Sequence, residues 1–363
     1  MKYNKRSVDK RSVTRNPANK RSVSRRSVIK KKRPAPPIPE KTVIPTSINL
    51  AEKHLAQYYV YFNKPPPIRK LNNIVNLNKE AIYKYNPRPN LYRSTLKWGQ
   101  RKLALTVLEF LTRYSAPNDL ILYIGASPGI NIIWLAQLFP KLTWHLYDPR
   151  PLDNKLRHNK SIKIFNKFFT DKEAEYYKKN YDNKKLLLIS DIRSISKNTT
   201  MAEKEERVYI DLMYQQKWYE IIKPKKAHLK FRVPFNKDKI FYLAGTLYVQ
   251  PFIGQSSSET RLVPHGYEKK YYTKNYEDAL FTHNVLNRVC YYPHNVKSYG
   301  LDHCFDCALE VKILQDYLKK RYGYVTDRMT ALYSNQLSMV ISFGKKTLQT
   351  YTPNTRGDAE SED

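Results

Sequence analysis

Five short strand-like runs separated by helical stretches constrain this chain more than any other feature. Residues 120–124, 142–147, 162–165, 186–190 and 228–233 have the length and β-branched or aromatic content of strands. Residues 130–139, stopped by Pro140, and then 173–179 and 202–222 have helical periodicity. Strands alternating with helices at this spacing predict an α/β fold: a doubly wound, mostly parallel sheet with helices on both faces. Upstream, Ser94 is a suitable N-cap for a helix to Arg113 that buries Leu103, Val107, Leu108 and Leu111. Downstream, residues 242–251 and 260–263 read as strands, and 277–289 and 302–322 as helices.

Charge narrows the partner. Lys+Arg 65 against Asp+Glu 32 gives a net charge of +33, a field that suits a polyanion, nucleic acid before an anionic membrane surface. Residues 1–42 hold 15 basic and 2 acidic residues, so +13 of that total. There Lys5-Arg6-Ser7-Val8 recurs from Lys10, Lys20 and, with Arg first, from Arg25. Such low complexity predicts a disordered basic arm for phosphates, although a solvated linker or a nuclear-import address would read the same. The expected order is this arm, a Tyr- and Asn-rich wrap at 43–93, the main domain at 94–345, and a disordered tail at 346–363, acidic at its end. Three cysteines make no disulfide framework, and no apolar run follows the basic N-terminus. A soluble intracellular protein with reduced thiols is expected.

The chemistry concentrates at strand ends. Tyr123-Ile124-Gly125-Ala126-Ser127-Pro128-Gly129 joins the first strand to its helix, where glycines permit a tight turn and the helix offers free N–H groups. It has neither the GxGxxG spacing of dinucleotide folds nor the Lys-Ser/Thr of a P-loop, so NAD and ATP are disfavoured. Asp148, 23 positions beyond Gly125, ends the next strand and suits the two hydroxyls of a ribose. Asp191 ends the fourth strand at the same sheet edge. Lys102 and Lys230 interrupt apolar patterns, and a lysine set into a strand needs a partner; Asp191 and Glu259 are candidates. Structural ion pairing would satisfy these residues as well as catalysis. Cys290, His294, Cys304 and Cys307 have a spacing that tetrahedral zinc could use. Cys304 and Cys307 fall in a helix expected from Asp302, however, which favours buried thiols and no metal.

Taken in chain order, these segments resemble the poxvirus cap-specific mRNA (nucleoside-2'-O-)-methyltransferase family, whose members are also processivity subunits of the viral poly(A) polymerase. The resemblance rests on Gln100-Arg101-Lys102-Leu103, residues 123–129, Asp148-Pro149-Arg150, residues 188–194 and 229–235, Gln250-Pro251-Phe252 and Glu259-Thr260-Arg261-Leu262. It implies a Rossmann-like S-adenosylmethionine-dependent methyltransferase fold and a catalytic tetrad of Lys102, Asp191, Lys230 and Glu259. It implies S-adenosyl-L-methionine as cofactor, held by Gln100, Tyr123, Gly125, Gly129, Asn131, Asp148 and Arg150, with Phe169 near the adenine. Asn131 replaces a family His. Tyr85, Phe235, Glu277 and Arg193 would bind the cap and RNA, with Ser256 and Lys237 departing from the family's Tyr and Asp. The implied partners are capped mRNA and a poly(A) polymerase catalytic subunit, and the implied source is a large cytoplasmic DNA virus. A non-catalytic RNA-binding subunit is the alternative. A DNA or base methyltransferase is disfavoured, because no Asn/Asp-Pro-Pro-Tyr/Phe follows the fourth strand.

Overall fold

The computed structural model describes residues 68–79, 81–85, 99–194, 199–253, 257–288, 290–298 and 300–342. The expected arm, most of the wrap, the Ser94 cap, Ser256 and the tail lie outside these residues.

The elements follow in the order β1 (Ile74–Val75), α1 (Gly99–Tyr114), β2 (Leu120–Ile124), α2 (Ile130–Leu138), β3 (Thr143–Tyr147), β4 (Ile162–Phe165), α3 (Asp171–Asn180), β5 (Leu186–Ser190) and α4 (Met201–Ile222). Then come β6 (Lys226–Phe231), β7 (Lys239–Val249), β8 (Thr260–Tyr272), α5 (Thr273–His283), α6 (Phe305–Tyr322) and α7 (Asp327–Ser342). All eight strands form one sheet in the order β1-β7-β8-β6-β5-β2-β3-β4. Strands β4, β3, β2, β5 and β6 run parallel, and β8, β7 and β1 extend the sheet antiparallel.

The burial follows from the sequence. Side chains alternate across a sheet, yet every residue of β2 (LILYI) and β5 (LLLIS) is buried, so both faces of the sheet's centre are covered. Helices α1, α2, α6 and α7 pack on one another, and α3 packs on α4. Thr200 caps α4: its side chain accepts from the Glu203 N–H while the Glu203 carboxylate accepts from the Thr200 N–H. The chain starts the parallel sheet at β2, winds out to β4, and crosses back to β5. The order therefore reverses between β2 and β5, and the crevice above their carboxyl ends is where such sheets bind ligands.

Several expectations need correction. The strand expected at 260–263 continues to Tyr272 with β7 as its antiparallel partner; its distal half alternates exposure and so lacks an apolar run. The helix expected over 277–289 gives way after His283 to a π-helical turn, Asn284–Arg288. Cys304 is the N-cap of α6 rather than a residue within it. Helix α7 was not read from the sequence at all.

Candidate active site

The glycine turn leaves β2 beside the end of β5. Gly125 has φ +79°, and a Cβ there would lie 2.9 Å from the Asp191 carbonyl carbon and 3.0 Å from the Ile192 nitrogen. Glycine is needed at this point because the β5 backbone occupies the space, a stricter reason than ligand approach. The Asp191 N–H donates to the Ile124 carbonyl at 2.9 Å, which fixes this aspartate at the sheet edge. Gly129, with φ +78°, opens α2.

Four elements bring the expected tetrad together. Lys230, on β6, places Nζ 3.3 Å from Asp191 Oδ1 and 3.4 Å from Glu259 Oε2. Lys102, on α1, donates to Glu259 Oε1 at 3.1 Å. Burial lowers the Lys230 pKa, as do Arg193 and Lys102, while Asp191 and Glu259 oppose the shift. Burial would raise both carboxyls, but the cations outweigh it. Arg261 and Lys230 hold Asp191 low, and Lys102, Lys230, Arg261 and Arg193 hold Glu259 well below the usual range. The arrangement is thus a lysine pressed toward neutrality between two ionised carboxylates.

Arg261, which the sequence reading did not single out, lies at the centre. It is 1% exposed and pairs across the strands with Lys230. Its Nη2 donates to Asp191 Oδ1 at 2.6 Å and its Nε to Gln250 Oε1 at 2.7 Å. Gln250 Nε2 in turn donates to Glu259 Oε1 at 3.0 Å. The signal was the one that exposed Lys230, a cation in a buried strand. Arg193, expected among the RNA contacts, is within 3.8 Å of both Glu259 and Asp211.

The expected cofactor residues are consistent with a polar ligand. Gln100 Oε1 is buried without a hydrogen-bond partner among the described residues, and such an atom calls for a ligand or water, while the buried Asn131 amide faces the Tyr123 hydroxyl. Tyr123 is buried, and burial followed by the Asp191 charge raises its hydroxyl pKa. The Asp148 carboxylate is engaged: Oδ2 accepts from the Ser127 N–H at 3.0 Å and Oδ1 from the Arg150 N–H at 2.9 Å. The Arg150 guanidinium closes on the same carboxylate at 3.1 Å. Phe169 packs edge-on against Tyr147 and Trp218, each at 5.0 Å between centroids.

The expected cap residues are half exposed. The Phe235 ring lies under the Arg232 guanidinium at 4.5 Å, and Glu205 accepts from Arg232 at 2.6 and 2.7 Å and from the Phe235 N–H at 2.7 Å. Burial raises the Glu277 pKa, and Asp278 adds to the shift. The Tyr85 N–H donates to that Asp278 at 2.6 Å, and its ring meets Phe281 edge-on. Lys237 pairs with Glu206 at 2.9 Å and covers the Tyr209 ring.

The sheet order and the glycine turn at its switch point give the chain a Rossmann-like, doubly wound α/β fold. Residues 64–351 match the family model described as poly A polymerase regulatory subunit, and the chain belongs to that family. It is similar to the cap-specific mRNA (nucleoside-2'-O-)-methyltransferases of Myxoma virus strains Lausanne and Uriarra. Each is 31% identical over 176 residues, 46% of this chain and 52% of theirs, so the chain spans about half the length of the curated relatives it matches. Among solved structures it is similar to bluetongue virus VP4, an RNA-capping protein, with a TM-score of 0.41 and 17% identity over 67% of this chain and 37% of that one. Human methyltransferase-like protein 13, in complex with SAH, gives a TM-score of 0.27 and 15% identity over 54% of this chain and 92% of that one.

Proposed function

We propose that this chain is a cap-specific mRNA 2'-O-methyltransferase. It would move a methyl group from S-adenosyl-L-methionine to the ribose 2'-hydroxyl of the first transcribed nucleotide. The observation that carries the reading is Lys230, half-buried between Asp191 and Glu259 with Lys102 fixed on Glu259. A ribose hydroxyl is a poor nucleophile and must give up its proton as its oxygen attacks the methyl carbon. Lys230, lowered toward its neutral form, accepts that proton, and Asp191 and Glu259 hold the resulting ammonium. When bound, the cofactor supplies a methyl on a sulfonium whose leaving sulfur takes the electron pair and becomes neutral, so no metal is required. Gln100 would hold it through its buried unpartnered oxygen, Asn131 and Tyr123 would line it together, and Asp148 would reach the ribose hydroxyls once Arg150 swings away from it. Positioning the hydroxyl in line with the methyl supplies much of the acceleration.

Capped mRNA as substrate rests on the Myxoma virus relatives and on the Phe235, Glu277 and Tyr85 patch. The family description favours a second role as the RNA-binding subunit of a poly(A) polymerase, with a catalytic subunit as partner. The net charge of +33 serves either role. No helix among the described residues is long and apolar enough to cross a membrane. Labelled methyl transfer to short RNAs with a methylated cap, an unmethylated cap or no cap tests the proposal. Incorporation at the first 2'-oxygen only with the methylated cap is expected. Equal incorporation on all three overturns the cap reading, and none, with RNA still bound, leaves the regulatory role alone.

A further inference from the structure

We infer that Asp302, Cys304 and Cys307 form a zinc site that fastens the start of α6. One ligand atom from each lies within 4.8 Å of the others. Around a tetrahedral zinc with Zn–S near 2.3 Å and Zn–O near 2.0 Å, neighbouring ligand atoms sit roughly 3.5–3.8 Å apart, so closure on a metal needs shifts of about an ångström. The ligand set differs from the one the sequence spacing suggested. Cys290 is not part of the cluster, its thiol donating to the Leu286 carbonyl at 2.9 Å, and His294 Nε2 is bonded to the Asp302 carbonyl at 2.8 Å; the Cys307 thiol makes only a longer contact, 3.5 Å, to the Gly300 carbonyl, which zinc would replace.

Cys304 caps α6, and its sulfur accepts from the Cys307 N–H at 3.4 Å, a bond that a thiolate strengthens. Asp302 Oδ1 accepts from the Cys304 N–H at 2.9 Å, which turns the carboxylate toward the sulfurs. Its other oxygen, Oδ2, is buried with no hydrogen-bond partner among the described residues, and so is His294 Nδ1. A buried carboxylate oxygen without a donor is costly, and a bound cation removes that cost. Both cysteines are at most 2% exposed. The N-terminal dipole of the 18-residue α6 offsets the net negative charge of two thiolates and a carboxylate around Zn²⁺.

The location gives the metal a structural role. Asp306, two residues into α6, accepts from Arg288 at 2.6 Å; Arg288 donates to the Gln250 carbonyl at 2.6 Å, and Gln250 donates to Glu259. Fixing the start of α6 therefore steadies a chain of contacts that ends on the tetrad.

Elemental analysis of the full chain, isolated with reductant, incubated with zinc sulfate and freed of unbound metal by gel filtration, tests the site. One zinc per chain is expected, and cobalt in its place should give intense thiolate-to-cobalt charge-transfer absorption. Asp302→Asn should weaken zinc binding roughly 10-fold or more while the far-ultraviolet dichroism stays unchanged. Cys304→Ser with Cys307→Ser should abolish binding, and Cys290→Ser should retain it. Substoichiometric zinc in the reduced wild-type chain, zinc kept by the double variant, or a Cys304–Cys307 disulfide in the isolated protein each overturns the inference. The wild-type stoichiometry and the cobalt spectrum decide the matter even if a cysteine variant fails to fold.

Discussion

Lys230 and Arg261 face each other across two strands, yet they are not interchangeable. Lysine can lose its proton in a protein and arginine cannot. Methyl transfer should therefore rise with pH through a Lys230 pKa that burial holds below 10.5. Lys230→Arg should lose both the activity and that limb of the profile, by about 10²–10⁴-fold in rate, while RNA binding survives. A pH–rate profile of the two proteins decides it, and an active arginine variant would remove Lys230 as the base. Arg261→Met should instead act on stability. It leaves Asp191 without its closest cation and removes one of the cations around Glu259, at a cost of about 1.5–3 kcal/mol, measurable by urea denaturation. The same carboxylates set an acid limit. Glu259, held well below its ordinary value of 4.5 in the folded chain, contributes stability that is complete above pH 4.5 and is lost as pH falls from there through its folded pKa. At this scale the lysines were legible because each breaks an apolar pattern. Arg261 is hidden in the sequence because only Thr260–Val263 carries a strand-like pattern, a run too short to show that both faces of β8 are buried there.

Elements differ in how far their sequence betrays them. Strands β2, β4 and β5 match their expected limits because short apolar runs bounded by turn residues leave few other readings. Helix α7 was invisible for a physical reason: the stripe it buries is Thr330, Ser334 and Ser338, with only Leu337 apolar among its fully buried side chains. The two serine hydroxyls face a buried ion pair, while that of Thr330 donates to the Thr326 carbonyl. Arg101 Nε donates to Glu310 Oε2 at 2.6 Å, and its guanidinium also donates to Ser334 and Ser338, so α1, α6 and α7 are joined through one charge. Glu310→Ala should cost about 3–5 kcal/mol by removing the carboxylate that faces this buried arginine. Thermal denaturation checks this, and a loss under about 1 kcal/mol would show that α7 closes the domain without the pair. The glycine turn gives a sharper test. Gly125→Ala combines a positive φ with a Cβ 2.9 Å from the Asp191 backbone, so Asp191 must move. A displacement near 1 Å at a reacting group can cost about 10²-fold in rate, and the loss should fall on kcat at saturating cofactor and RNA.

The molecule as a whole is more basic than its site requires. Of the net +33, residues 1–42 hold +13 and the remainder +20, so charge alone assigns RNA affinity to both parts. Charge at a distance and charge in contact with phosphate behave differently as salt is added. Long-range attraction is screened beyond about 10 Å at 0.1 M, whereas each contacted phosphate releases counterions and adds about 0.7 to the slope of log affinity against log salt for a single strand. Removing residues 1–42 should therefore weaken binding at low salt and flatten that slope by several contacts' worth, while kcat at saturating RNA stays unchanged because the tetrad lies elsewhere in the sequence. An unchanged slope would mean that the +20 of the remaining chain makes all the phosphate contacts. The arm's charges would then act only as a diffuse field that raises the rate of encounter. Measuring association and dissociation rates of both forms across a salt series separates these cases: lost contacts raise the dissociation rate, and a lost field lowers only the association rate.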